Sequence, residues 1–331
     1  MTAAFAHPAL FYRGDAEYLA GTTAFVRAGL AVGEPVAAAV PPDRLALLRA
    51  ALGADAAGVR FTDMAAAGRN PGRIIPGVLR AFCDAQPPGR RIRIVGEPVW
   101  PGRTDLEYPA CVQHEALTNA AFHGCPVTIL CPYDAERLTA RALADARATH
   151  PAVIEGGRER TSAGYAPERA AASYNTPLAV PPYADRLTFD REGLRGAREF
   201  AVRVAGGLGL RGTRLDDVAL AVSELTTNSV LHGGGSGVIR LWAEDGRLAC
   251  EVRDGGRIGD PLAGREVPPP GRPGGRGLLM VHQLADLVRQ YTGPDGTAIR
   301  CYFDPPVHPA GAPAVLAARS AEGMDRPADR P

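Results

Sequence analysis

Over the first 150 residues, hydrophobic side chains switch between helical and strand spacing. GDAEYLAGTTAFVRAGLAVG (14–33) places apolar residues every three to four positions, which predicts a helix. PVAAAVP (35–41), RIRIVGEP (91–98) and CPVTILCPY (125–133) each predict a short buried strand. Helices between such strands predict an α/β layered domain with a largely parallel sheet over residues 5–150.

A second set of elements follows a break in this pattern. Residues 151–186 lose their periodicity and are rich in Gly, Pro, Ser and Arg, which predicts a linker. Residues 187–304 predict two amphipathic helices, the second with Thr213 as its N-cap, followed by a hairpin, a further helix and a last hairpin. The Ala- and Pro-rich tail over 305–331 is predicted to be disordered.

Composition and charge exclude several classes of function. Hydrophobic residues are 46% and charged residues 22% of the 331, which fits a soluble protein with room for two domains. A net charge of +1 gives no basic surface for nucleic acid. The sequence has no apolar run of the ~20 residues that cross a bilayer and no basic-then-apolar leader, so we predict a cytoplasmic protein without membrane contact.

The basic residues exclude two kinds of cofactor chemistry. All 37 are Arg and none is Lys. A Walker A loop needs a Lys on the phosphates, and pyridoxal phosphate needs a Lys for its Schiff base. Any nucleotide site in this chain must therefore work without lysine.

The pattern that carries chemistry lies in SELTTNSVLHGG (223–234). Glu224, Asn228 and His232 are four residues apart, so they project from one side of a helix near its C-terminal end. Polar stripes of this kind are also common on solvated helix faces. Support for a site must therefore come from other parts of the chain.

Two glycine-rich segments further along the chain give that support. In DGGRIG (254–259) an Asp ends a buried strand, and the glycines let the backbone turn tightly against a flat ligand. In GGRGLLM (274–280) glycines lead into a helix, whose free N–H groups and dipole suit phosphate. Either segment alone is also typical of a turn, and the loop from Arg257 to Pro273 fits a lid or a plain surface loop.

Together, Glu-x-x-x-Asn, Asp-x-Gly, Gly-x-Gly-Leu and Gly296-Thr297 resemble the Bergerat ATP-binding fold of gyrase, histidine kinases and MutL over residues 187–304. ELTTN and GRGLLMV are most similar to anti-sigma serine kinases of the SpoIIAB and RsbW type. The resemblance implies a histidine-kinase-like ATPase α/β sandwich that binds ATP and Mg²⁺. It further implies a sigma factor and a STAS-type anti-anti-sigma protein as partners, and a homodimer.

The resemblance also implies roles for the residues of the helix stripe. Asn228 would bind Mg²⁺, for which an amide oxygen is a suitable ligand. Glu224 would be the general base for a substrate hydroxyl, one helical turn from the metal ligand. His232 would either contact the nucleotide or serve as a partner of the helix dipole.

For the nucleotide itself the resemblance implies two further groups of residues. Asp254 would accept the exocyclic amine of adenine, Gly256 would allow the base to approach closely, and Thr297 would complete the adenine contact. Gly275 and Gly277 would cradle the phosphates. The position of Arg276 indicates that it adds positive charge there.

A second resemblance covers residues 5–150. HPALFYRGDAEYL, VGEPVWPGRTDLEYPACVQHEALTNAAF and ILCPYD resemble the methanogen/methylotroph DcmR sensory (MEDS) domain, which implies sensing of a small-molecule signal. We predict that a ligand pocket uses polar and aromatic residues, namely His7, Tyr12, Glu97, Trp100, Arg103 and Glu115. Trp100 and Tyr12 fit a core role equally well.

The first domain contains two further patterns. EALTNAAFHG (115–124) repeats the Glu-Asn-His spacing, but no Asp-x-Gly or Gly-x-Gly segment follows it before the linker, so we interpret it as a helix face that matches by chance. Cys111-x-x-His114 with Cys125 and Cys131 suggests a metal or redox cluster, although the spacing fits no regular zinc site.

Three functions fit these patterns to different degrees. The first is an ATP-dependent serine/threonine protein kinase that also sequesters a sigma factor under control of the sensory domain. The second is an ATP-binding anti-sigma module without kinase turnover. The third, a sensor histidine kinase, is disfavoured because residues 151–192 contain no His and His150 precedes Pro151, outside any long helix.

Overall fold

A computed structural model describes residues 5–268, 271 and 274–305. Internal contacts divide the chain into two compact units, residues 1–176 with 260–279 and residues 177–259 with 280–331. Both units combine helices with a sheet, so the predicted α/β fold class is confirmed. Residues 306–331 of the tail predicted to be disordered lie outside the described residues.

The first unit is built on a seven-stranded sheet. Its strands are β1 (Pro8–Tyr12), β2 (Val36–Val40), β3 (Val59–Asp63), β4 (Ile92–Gly96), β5 (Val127–Asp134), β6 (Ala152–Glu155) and β7 (Arg158–Thr161). They lie in the order β3-β2-β4-β5-β1-β6-β7, and every neighbouring pair is parallel except β6 with β7. The three strands predicted from apolar runs are β2, β4 and β5, so those predictions are confirmed.

Apolar packing buries both faces of this sheet. Along β2, Ala37 and Ala39 belong to one hydrophobic cluster, whereas Val36, Ala38 and Val40 belong to another. Strands that are buried on both faces read as continuous apolar runs rather than as alternating ones, which is why the sequence revealed them.

Helices connect the strands of the first unit. They are α1 (Gly14–Ala31), α2 (Pro42–Leu52), α3 (Met64–Ala67), α4 (Ala81–Asp84), α5 (Tyr108–Ala121), α6 (Ala140–Thr149) and α7 (Pro167–Ser173), with 3₁₀ turns at Gly53–Gly58 and Pro71–Arg73 and a π-helix at Ile74–Arg80. The first is the helix predicted over 14–33. The first seven residues of EALTNAAFHG (115–124) form the end of α5, and His123 lies after the helix.

The linker predicted over 151–186 is wrong for its first part. Strand β6 pairs in parallel with β1, and a turn at Gly156–Gly157, both with positive φ, returns the chain into β7. The whole of β7, with the sequence RERT, is exposed. Such a polar edge strand carries no hydrophobic alternation, so its sequence reads as a linker.

The segment 260–279 packs with the first unit, although it follows strands of the second in sequence. Leu262 packs against the core of the parallel sheet, and Arg265 is buried. Burial lowers the pKa of the Arg265 guanidinium to about 10, and its Nη1 atom has no hydrogen-bond partner among the described residues.

The second unit is an antiparallel sheet with helices. Its strands are β8 (Asp185–Asp190), β9 (Ser236–Glu244), β10 (Arg247–Asp254), β11 (Leu287–Gly293) and β12 (Gly296–Phe303), in the order β11-β12-β10-β9-β8. Its helices are α8 (Leu194–Gly207), α9 (Thr213–His232) and α10 (Gly277–Leu284), of which the first three residues are grouped with the first unit. Both predicted hairpins are present, β9 with β10 and β11 with β12.

Local sequence explains the ends of these elements. The turn between β9 and β10 is Asp245-Gly246, and both residues have positive φ, as a two-residue hairpin turn requires. Helix α9 begins at Thr213 with Gly212 as its N-cap, so the prediction of Thr213 as the N-cap is wrong by one residue. Val218, Val222 and Leu225 are buried along α9, as the helical spacing predicts. In the described part of the chain, no helix is both long and apolar enough to cross a membrane.

Candidate functional site

The carboxylate of Asp254, at the end of β10, is held by two hydrogen bonds within the second unit. Its Oδ2 accepts a hydrogen bond from the Ser229 hydroxyl on α9 at 2.6 Å. Its Oδ1 accepts one from the backbone N–H of Gly256 at 2.8 Å. A carboxylate oriented from both sides in this way is a fixed hydrogen-bond acceptor, with lone pairs still available to a ligand.

Glycines surround Asp254 because the backbone leaves no space for a side chain there. A Cβ on Gly233 would lie 2.3 Å from Cγ of Asp254, and one on Gly296 would lie 2.0 Å from the Asp254 carbonyl oxygen. Gly296 also has φ of +111°, a conformation that L side chains rarely adopt. A Cβ on Gly256 would lie 2.6 Å from the His232 carbonyl oxygen and 2.7 Å from Cα of Gly233.

We expect Gly256→Ala to displace the turn after β10, because the added methyl group meets backbone atoms that cannot rotate away. Overpacking of this kind typically costs about 1–3 kcal/mol, which urea denaturation measures. The matched control is Gly255→Ala, whose Cβ would lie 3.6 Å from the Gly233 carbonyl oxygen, an ordinary contact. Equal stability of the two variants would show that the turn accommodates a methyl group at Gly256 without cost.

Two threonines hold the turn from the other side. Thr297, which pairs with Asp254 across β12 and β10, donates a hydrogen bond to the Gly256 carbonyl oxygen at 2.9 Å. The Thr292 hydroxyl lies 3.0 Å from that of Thr297 and accepts a hydrogen bond from the Ile258 N–H at 3.2 Å. The structure therefore brings together three residues that the sequence predicted, Asp254, Gly256 and Thr297.

Ser229 and Thr292 belong to this network and were missed by the sequence reasoning. Ser229 directly follows Asn228 in the motif, but as a helix-interior Ser it resembles a residue that bonds its own backbone, and it also donates to the Leu225 carbonyl oxygen at 3.1 Å. Thr292 gives no local signal, because its position depends on the pairing of β11 with β12.

The stripe on α9 presents unpaired oxygen atoms. Glu224 and Asn228 are half-buried, and neither side chain makes a hydrogen bond within the described residues, whereas His232 is exposed. A carboxylate and an amide oxygen one turn apart are suitable for proton transfer and for a hard divalent cation. The carbonyl oxygen of His232 is one of the backbone atoms that a Cβ on Gly256 would meet.

The second glycine-rich segment belongs to the first unit, because residues 260–279 pack with it. Gly275, with φ of +78°, and Arg276 are exposed, and Gly277 is the first residue of α10. An exposed guanidinium just before a helix N-terminus favours anions.

In the first unit, the residues predicted to line a ligand pocket fall into separate groups. His7 Nε2 lies 3.3 Å from a Glu115 carboxylate oxygen inside the core. Tyr12 donates to Glu97 at 3.5 Å in a second buried group, where the Glu97 Oε2 atom has no hydrogen-bond partner among the described residues.

The remaining two predicted pocket residues form a structural pair. The Arg103 guanidinium lies 3.9 Å from the centre of the Trp100 ring, and it donates to the carbonyl oxygens of Pro98, Arg69 and Gly68. A cavity of about 500 Å³, of a size that suits a small ligand, lies elsewhere in this unit. It is lined mainly by apolar residues from β2, β4 and the π-helix and its continuation, with none of the six predicted pocket residues among them.

Glu97 gives a pH-dependent contribution to stability. Burial raises the pKa of this carboxyl group to about 8; Arg44 and the Tyr12 hydrogen bond lower it, and Asp43 and Asp134 raise it further. Between the ordinary glutamate pKa of about 4.5 and the raised pKa of about 8, the folded chain binds the extra proton, so stability falls as pH rises through this window.

We therefore expect Glu97→Gln to lose less thermal stability than the wild type between pH 5 and pH 8.5. Differential scanning calorimetry at the two pH values measures the difference. The matched control is Glu136→Gln, which changes an exposed carboxylate of the same unit. If Glu97→Gln kept the full pH dependence of the wild type, Glu97 would not be the group that titrates.

Comparisons with known protein families match one family model to each of two parts of the chain. Residues 6–151 match the MEthanogen/methylotroph, DcmR Sensory (MEDS) domain, and residues 187–303 match the histidine kinase-like ATPase domain. No curated protein matches the chain. A crystal structure of the RsbU and RsbW domains of a protein from Mycobacterium tuberculosis is similar at 21% identity and a TM-score of 0.28, covering 38% of this chain. The chain spans about a third of the length of that structure, 33%.

Proposed function

We propose that this chain, which joins a MEDS sensory domain to a histidine kinase-like ATPase domain, is an ATP-dependent regulator that phosphorylates a partner protein. An ATPase domain of this kind implies ATP binding. The observation that carries the proposal is the Asp254 network at the end of β10, in which Ser229 and the Gly256 N–H fix the carboxylate and Thr297 holds the Gly256 carbonyl oxygen.

The network fits the edge of an adenine ring. Asp254 accepts the exocyclic amine, since its carboxylate is already oriented by Ser229 and Gly256. The base lies against Gly256, where a side chain is excluded by the backbone of His232, and Thr297 closes the contact. The required donor-to-acceptor match gives selectivity for adenine over guanine, which presents a carbonyl oxygen at that position.

The stripe on α9 fits the phosphate end of the nucleotide. Asn228 supplies an amide oxygen to Mg²⁺, whose charge, when bound, offsets that of the triphosphate. Glu224 accepts the proton of the attacking hydroxyl, and both side chains are free of competing hydrogen bonds in the described residues. Gly275, Arg276 and Gly277 contact the phosphates through backbone N–H groups and the Arg276 charge.

We propose that the phosphate acceptor is a Ser or Thr of a STAS-type anti-anti-sigma protein. We also propose that this chain, in its alternative state, sequesters a sigma factor. This follows the similarity of ELTTN and GRGLLMV to anti-sigma serine kinases. We propose that the signal sensed by the first domain controls the phosphorylation. The second candidate is an anti-sigma module that binds ATP without turnover, because the network at Asp254 serves binding alone equally well.

A pull-down of the tagged full chain from its native lysate with Mg-ATP tests the proposal. Mass spectrometry of the captured proteins and their phosphorylation sites gives three outcomes. A sigma factor with a STAS protein phosphorylated on Ser or Thr supports the kinase, a sigma factor alone supports the module without turnover, and neither protein rejects both. The Asn228→Ala variant is the control, since any phosphorylation that depends on this chain is lost with it.

A further inference from the structure

Four side chains of metal-binding type meet in the core of the first unit. His7, Glu115, Cys131 and His150 are each at most 2% exposed, and one potential ligand atom from each lies within 4.8 Å of the others. They come from four separate segments: the residue before β1, helix α5, strand β5 and the residue after α6. The cluster involves no residue of the proposed nucleotide site.

Four of the six separations match the edges of a tetrahedron around one ion, and all six are within 4.8 Å. His7 Nε2 lies 3.3 Å from Glu115 Oε2 and 3.4 Å from Cys131 Sγ. Glu115 Oε2 lies 3.7 Å from Cys131 Sγ and 3.6 Å from His150 Nε2. Bonds of about 2.0–2.3 Å to zinc give tetrahedral edges of about 3.3–3.7 Å, so an ion at the centre needs little rearrangement of the ligands.

Hydrogen bonds outside the cluster fix both imidazole rings. His150 Nδ1 lies 2.8 Å from the Ala146 carbonyl oxygen, an acceptor only, so Nδ1 carries the proton and Nε2 faces the cluster with its lone pair. Asn119 donates its amide N–H groups to carbonyl oxygens, including that of Thr149 at 2.8 Å, which leaves its Oδ1 to accept from His7 Nδ1 at 3.2 Å. Metal-binding histidines are oriented by outer contacts of this kind.

The cluster also lacks protons for its lone pairs. The His150 ring is fully buried. Its Nε2 atom is buried without a hydrogen-bond partner among the described residues. Tyr133 donates a hydrogen bond to Glu115 Oε1 at 2.9 Å. The Cys131 thiol is then the donor that remains for three acceptor atoms that face the cluster, His7 Nε2, Glu115 Oε2 and His150 Nε2. Buried acceptors without donors are costly unless a cation satisfies them.

We propose that His7, Glu115, Cys131 and His150 bind one divalent transition-metal ion of the zinc type in the sensory unit. Two imidazoles, a thiolate and a carboxylate form a mixed N/S/O set of four, which suits tetrahedral Zn²⁺ and disfavours Mg²⁺ or Ca²⁺. The site is closed and draws its ligands from both ends of the domain sequence. A bound metal ion thus links β1, α5, β5 and the end of α6. Loss of the metal weakens this link, which gives the sensory unit a means of responding to a signal.

Cobalt titration of the full chain tests the site. After chelator treatment and dialysis, we expect one Co²⁺ per chain, with the thiolate charge-transfer absorption and intense visible bands of tetrahedral Co²⁺, and displacement by Zn²⁺. Cys131→Ala should remove the charge-transfer band. Cys250→Ala, which removes an equally buried strand cysteine from the second unit, should keep it.

Two further variants make the test independent of the folding of Cys131→Ala. Glu115→Gln keeps the shape of the side chain but removes the anionic ligand, so Co²⁺ affinity should fall while the thiolate band remains. Asn119→Ala removes the outer contact to His7 together with the hydrogen bonds of the amide to three backbone carbonyl oxygens, and the expected loss is about 10–100-fold in Co²⁺ affinity with an unchanged spectrum. A folded chelator-treated chain that binds no stoichiometric Co²⁺, or a thiolate band that persists in Cys131→Ala, would overturn the proposal.

Discussion

Asn228→Ala should abolish the Mg²⁺-dependent part of ATP binding. The Asn228 amide is half-buried on α9 and makes no hydrogen bond within the described residues, so its oxygen is available to a cation. Mg²⁺ holds few protein ligands beside water and phosphate oxygens, and the loss of one therefore has a large effect. Titration with a fluorescent ATP analogue, with Mg²⁺ and with EDTA, separates the metal-dependent affinity from that of the base contacts.

The control for this prediction is Thr227→Ala, which changes the neighbouring exposed residue of the same helix. It should bind Mg-ATP as the wild type does. Circular dichroism of each variant checks that α9 is intact. Wild-type Mg²⁺ dependence in Asn228→Ala would remove Asn228 from the metal site, although the Asp254 contacts to adenine would still stand.

Glu224→Gln should keep ATP binding and lose phosphotransfer. Gln preserves the size of the side chain but does not accept the proton of the attacking hydroxyl, and removal of a general base typically costs about 10²–10⁴-fold in rate. The carboxylate lies one helical turn from Asn228, so it would lie near a metal ion held by Asn228 as proposed. Transfer of radiolabelled phosphate to the captured STAS partner measures the loss.

Asp216→Asn is the matched control, since it neutralises an exposed carboxylate in the first turn of the same helix. Its transfer rate should equal that of the wild type. A Glu224→Gln variant with normal transfer would show that Glu224 is not the base. A wild-type chain that binds ATP but transfers no phosphate to the partner would instead favour the module without turnover.

Most elements were visible in the sequence because their patterns are local. The strands β2, β4 and β5 are buried on both faces and read as apolar runs. Turns at Asp245-Gly246 and before Gly296 follow from residues that adopt positive φ. The edge strand β7 was not predicted, because its exposed residues do not need to be hydrophobic and so show no strand pattern.

Glu115 and Asn119 lie on helix α5, as the sequence interpretation expected, but hydrogen bonds hold both side chains inside the first unit. Glu115 is buried and accepts a hydrogen bond from Tyr133, and Asn119 is held by three backbone carbonyl oxygens. The sequence also suggested a metal or redox cluster of Cys111, His114, Cys125 and Cys131, and this suggestion is wrong. Among the described residues, only Cys131 of these four belongs to a cluster of metal-binding side chains. Of its three companions, Glu115 and His150 lie 16 and 19 positions away and His7 lies 124 positions away, and these separations follow no regular metal-site spacing.

By itself the sequence determined the resemblance to the two families, the strands β2, β4 and β5, the two hairpins and the choice of Asp254, Gly256 and Thr297 as candidate residues, because these signals are local motifs and apolar patterns. The tertiary structure alone decided that Ser229 and Thr292 complete the Asp254 network and that His7, Glu115, Cys131 and His150 share one buried point. Strand pairing brings residues together across more than a hundred positions, as for His7 and Cys131, and hydrophobic periodicity carries no record of such pairs.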